Sequence, residues 1–90
     1  MPLYTFFLEY KGGTYVSQVR ARSSPLAMKA WAGKLMGMKV VGLGARSKNE
    51  LMEKILCDAP PTLDGLKNVW CSSALVRGHL ALIHFAQTEG

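Results

Sequence analysis

The sequence predicts an α+β domain: an antiparallel sheet from two β-hairpins with two helices between them, order ββααββ, one helix packed on the sheet. Three observations carry this. Tyr4–Tyr10 and Thr14–Arg22 are rich in aromatic and β-branched residues, alternate with period two, and flank a glycine pair. A second pair of strand-like runs lies between Leu66 and Thr88, split by Arg77-Gly78. Between the hairpins stand two stretches with helix-start chemistry, Ser23-Ser24-Pro25 and Ser47-Lys48-Asn49-Glu50. At 90 residues the chain reads as a single domain spanning 1–90.

In the first hairpin, Gly12 and Gly13 supply the positive φ angles of a two-residue turn. With those two as the loop, Tyr10 faces Tyr15, Leu8 faces Ser17, Phe6 faces Val19 and Tyr4 faces Ala21. That nearly apolar side is the expected core face. The opposite side carries Thr5, Phe7, Glu9, Val16, Gln18, Arg20 and Arg22. A slip of one residue would exchange the two faces.

The first helix is expected over Pro25–Met36, with Ser24 as cap, Pro25 in the first helical position and Gly37 as the stop. Trp31 is its large residue for covering the sheet. Val40-Val41 reads as a brief extended piece. The second helix is expected from Ser47, with Leu51, Met52, Ile55 and Leu56 on its apolar side. Pro60-Pro61 ends it, and Thr62-Leu63-Asp64-Gly65 reads as a turn.

In the last hairpin, a loop at Arg77-Gly78 pairs Trp70 with Phe85, Cys71 with His84, Ser72 with Ile83 and Leu75 with Leu80. Both faces are then largely apolar. Such a hairpin is either central in a covered sheet or buried against another chain. A homodimer is therefore expected, held by strand pairing or by face packing.

The formal net charge is +5, and it is lopsided. Residues 1–46 hold seven Lys or Arg and one acid, 7 − 1 = +6; residues 47–90 hold four and five, 4 − 5 = −1. A basic half favours an acidic partner, nucleic acid above all. Lys11, Gln18, Arg20 and Arg22, with Phe7 as a stacking ring, form one expected nucleic-acid site on the outer sheet face. Gly42, Gly44 and Arg46 form a second. The stretch Val41-Gly42-Leu43-Gly44-Ala45-Arg46, followed by Leu51, resembles the helix-hairpin-helix motif. That resemblance implies backbone N–H groups of a Gly-hydrophobic-Gly turn meeting a phosphate, with Arg46 beside them. The chain departs from the motif at Lys48, where a small residue usually packs, and at Val41, where proline is common.

Two cysteines, Cys57 and Cys71, without a CxxC spacing, read as reduced thiols. Cys71 and His84 are expected as cross-strand neighbours whose role is packing. His79 and His84 are five apart and fall on opposite strand faces, so a shared metal is not expected. No apolar run approaches the roughly 18 residues that a membrane span needs. The sequence leads to a small cytoplasmic, non-enzymatic binding or regulatory module without cofactor, associated with nucleic acid through its basic half. The alternative is a homodimeric protein–protein interaction module without a nucleic-acid role.

Overall fold

The computed structural model describes residues 1–56 and 68–90. The elements follow the expected order: β1 (Leu3–Tyr10), β2 (Gly13–Arg20), α1 (Ser24–Leu35), α2 (Ala45–Leu56), β3 (Val69–Val76) and β4 (His79–Glu89). The four strands form one antiparallel sheet in the order β2-β1-β4-β3. The fold class is that of an α+β domain, as the pattern predicts. Cys57, the Pro60-Pro61 stop and the Thr62–Gly65 turn lie outside the described residues.

The first turn differs from expectation by one position. Its central residues are Lys11 (φ 47°) and Gly12 (φ 80°), so Tyr10 pairs with Gly13, Leu8 with Tyr15 and Phe6 with Ser17. The register has moved by two residues, an even number. The faces therefore stand as expected, with Tyr4, Phe6, Leu8 and Tyr10 buried. Gly13 serves another purpose. A Cβ there would stand 2.9 Å from the Tyr15 hydroxyl, so the bare backbone makes room for that ring. The Tyr15 hydroxyl then accepts from the Val41 N–H at 3.1 Å, tethering the interhelical loop to β2. The second hairpin has the expected register, with Arg77 (φ 51°) and Gly78 (φ 81°) as its turn.

Helix α1 is capped by Ser23 rather than Ser24. Ser23 is extended, and its Oγ accepts from the Leu26 N–H at 3.4 Å. The helix closes through short i→i+3 bonds, Gly37 N–H to Lys34 and Met38 N–H to Leu35, and not through a left-handed Gly37. Helix α2 begins two residues before the expected Ser47. Gly44 offers the first carbonyl, accepting from the Lys48 N–H at 2.9 Å, and Ser47 is buried inside the first turn. The reason lies in Gly42 (φ 79°). The Val40–Leu43 turn that it permits buries Leu43 and delivers the chain to helical geometry early. Val40-Val41 forms no strand.

Both helices cover the same face of the sheet, so the second joins the one expected to pack there. Trp31 stacks on Phe6 (centroids 5.3 Å, 6° between planes), Phe6 on Phe85 (4.3 Å) and Phe85 on Trp70 (5.2 Å). This aromatic row runs from α1 across β1 and β4 to β3. Leu51 and Ile55 of α2 close the core beside Val76 and Ile83. Lys48, largely buried, donates its ammonium to the Met36 and Met38 carbonyls just past the C-terminal end of α1, where a positive charge is favoured. No buried side-chain polar atom among the described residues lacks a partner.

Candidate interaction surface

With both helices on one side, the other side of the sheet has no helix over it among the described residues. Period-two alternation decides what it shows. Strand β2 contributes Thr14, Val16, Gln18 and Arg20, and β1 contributes Leu3, Thr5, Phe7 and Glu9. Strand β4 adds Leu80, Leu82, His84 and Ala86, and β3 adds Cys71, Ser73 and Leu75. Register aligns Val16, Phe7, His84 and Cys71 in one row across all four strands. An apolar stripe runs diagonally from Val16 and Phe7 through Leu82 to Leu80 and Leu75. Val16, Leu75 and Leu80 are more than half exposed.

One end of this face is polar and internally satisfied. The Gln18 amide donates to the Thr5 hydroxyl at 3.1 Å, and Thr5 and Thr88 share a hydrogen bond at 2.8 Å. Arg20 donates to the Met1 carbonyl at 3.0 Å and pairs with Glu89 at 3.4 Å. Glu9 lies 3.8 Å from His84 Nε2. Arg20 and Glu89 are thus matched locally, and Glu9 stands beside the His84 imidazole.

The structure separates the residues expected at a nucleic-acid site. Gln18 and Arg20 lie on the open face, both already bonded. Arg22 is off the sheet, because β2 ends at Arg20 and the chain bends into the α1 cap. Lys11 sits at the hairpin tip, at the far end of β2 from Arg20. Its ammonium lies 5.7 Å from the Tyr10 ring, and its stem rests on Gly42, where a Cβ would stand 2.9 Å from Lys11 Cδ. Lys11 and Gly42 are therefore brought together, while Gly44 and the exposed Arg46 follow Gly42 in the chain at the start of α2. Sequence spacing does not reveal that meeting, since it depends on the Tyr15–Val41 tether. In the helix-hairpin-helix resemblance, Gly42 does take the positive φ of a turn, but nine residues separate α1 from α2 and Lys48 points into their junction.

Cys71 and His84 are cross-strand neighbours as expected. Glu9 adds a carboxylate that sequence alone does not place, because the β1–β4 pairing joins opposite ends of the chain. No hydrogen bond among the described residues links the three as a nucleophile, base and orienting acid would be linked. Among the described residues no group of three or more His, Cys, Asp or Glu is arranged to hold a metal, and no helix is long and apolar enough to cross a membrane. No protein-family model, curated protein or solved structure matches this chain.

Proposed function

We propose that this protein is a cytoplasmic, non-enzymatic interaction module that binds a protein partner through the helix-free face of its sheet. One observation carries the reading: an apolar stripe from Val16 to Leu75 crosses all four strands with Val16, Phe7, Leu80 and Leu75 exposed. An exposed apolar band framed by polar groups is the signature of a protein-binding surface. Beside it Arg20 is paired with Glu89 and Glu9 adds a negative charge, which suits a protein surface better than a phosphate backbone.

A nucleic-acid role has one supporting observation, the contact of Lys11 with Gly42, four residues before the exposed Arg46, with Lys11 at the far end of β2 from Arg20. Photo-crosslinking tests the two readings together. A photoreactive residue at position 16 or 80 is expected to give specific protein adducts in cells, while one at position 29 on the exposed side of α1 gives none. The reading fails if positions 16 and 80 give no adducts. It yields to nucleic acid if the chain binds mixed DNA or RNA with a steep salt dependence that Lys11→Ala/Arg46→Ala removes.

A further inference from the structure

We infer that the occupant of the helix-free face is a second copy of this chain, stacked sheet against sheet about a two-fold axis. The inference rests on the reading of that face as an interaction surface and names its partner.

The alternative route to self-association, strand pairing at a sheet edge, is obstructed on both sides. The edges are β2 and β3. With two-residue loops, the turn-flanking pairs Tyr10–Gly13 and Val76–His79 are the hydrogen-bonded ones. Alternate residues of each outer strand therefore aim their N–H and C=O away from the sheet, Gln18 on β2 and Leu75 on β3 among them. Lys34 of α1 donates to the Gln18 carbonyl at 2.8 Å, and Lys54 of α2 donates to the Leu75 carbonyl. Each helix thus places an ammonium on an outward carbonyl that an added strand would need. Lysines at an edge are a recurrent obstacle to strand addition.

The face has no such guard, and its composition matches itself. It carries an apolar stripe, one internally paired charge couple, Arg20–Glu89, and the Glu9 carboxylate beside the His84 imidazole. A strongly acidic partner would find no excess of positive charge there. A surface of the same kind meets stripe with stripe and leaves Arg20 with Glu89. The basic residues Lys29, Lys34, Lys39 and Arg46 belong to the helices and their connecting loop, on the other side of the sheet. Stacking through the open faces therefore keeps them far apart.

The size is sufficient. Four strands about 4.8 Å apart, each of eight residues at about 3.3 Å, present a face of roughly 500 Å². Two such faces bury roughly 1,000 Å² or more, the lower bound of a specific interface. The assembly would be a sandwich with sheets about 10 Å apart and strand directions within about 30°, its helices outermost.

Sedimentation equilibrium on the full chain tests this, at concentrations up to about 0.2 mM. The wild-type chain is expected as a dimer. Leu80→Lys and, separately, Val16→Lys are expected to weaken dimerisation at least about tenfold with unchanged circular dichroism, because both side chains are largely exposed in one copy. Lys34→Ala/Lys54→Ala is expected to leave the dimer intact. A monomer at the highest concentration overturns the inference, as does a dimer that survives both face variants or depends on the edge lysines. A monomeric chain that still gives protein crosslinks from position 16 defeats the second copy alone and leaves the proposed function standing. A monomer without crosslinks defeats both.

Discussion

The indole N–H of Trp31 donates to the Ser17 hydroxyl at 3.0 Å, fastening α1 to β2 at the point where the indole also stacks on Phe6. Trp31 is wholly buried, so its polar atom needs that partner. Ser17→Ala is expected to cost about 1–2 kcal/mol by leaving the indole N–H unpaired. Trp31→Ala removes the stack as well and is expected to cost about 3–5 kcal/mol, enough to unfold a domain of this size. Urea unfolding followed by circular dichroism measures both.

Lys48 donates to two backbone carbonyls beyond the end of α1 from a largely buried position. Lys48→Met keeps most of the volume and removes the donors. It is expected to lower stability by about 1–3 kcal/mol. The amides of the 36–44 loop are expected to show faster hydrogen exchange than in the wild type. Unchanged loop exchange would show that the ammonium does not hold this connection.

Gly12 and Gly42 separate two costs of adding a side chain. Both have positive φ, but a Cβ on Gly12 meets nothing within 4 Å, while one on Gly42 meets the Lys11 stem. Gly12→Ala is expected to cost about 1 kcal/mol, from backbone conformation alone. Gly42→Ala is expected to cost more, and Lys11→Ala in the same chain to return the excess. A double-mutant cycle reads that coupling directly. Zero coupling would mean that Lys11 does not rest on the turn.

Arg77 occupies a left-handed position that asparagine adopts more readily. Arg77→Asn is expected to raise stability by about 0.5–1 kcal/mol without altering the fold, since the backbone N–H that donates to Glu50 at 3.3 Å is retained. A rise in the urea midpoint at constant slope is the expected result.

The sequence carries the sheet faces plainly, because period-two alternation and a glycine-bearing turn survive small errors of register. Gly12 and Gly13 both look like turn residues. The positive φ of Lys11 and Gly12 and the Tyr10–Gly13 pairing show that the loop is Lys11-Gly12. The start of α2 was obscured for a similar reason. Ser47 and Glu50 spell a capping box, yet Gly42 lets the helix begin at Ala45. The open face was legible only in halves. Each hairpin shows its own outward residues, but the β1–β4 junction that joins Phe7 to His84 links positions 77 apart in the sequence. No local pattern announces such a pairing. Charge counting located the basic half and could not show that Arg20 is engaged by Glu89 while Lys11 lies at the far end.

That same β1–β4 junction governs the order in which the domain assembles. Strand β1 is made first, and its inner neighbour β4 is made after everything else in the sheet. During synthesis the first hairpin therefore waits with one side of Leu3–Tyr10 unpaired, and its two phenylalanines stand in a strongly β-forming segment. Pairing β4 with β1 requires closure of a long loop, which slows folding. A nascent chain stalled before residue 79 should thus be a good client for chaperones that bind extended apolar segments, and release of β4 should end that dependence in one step.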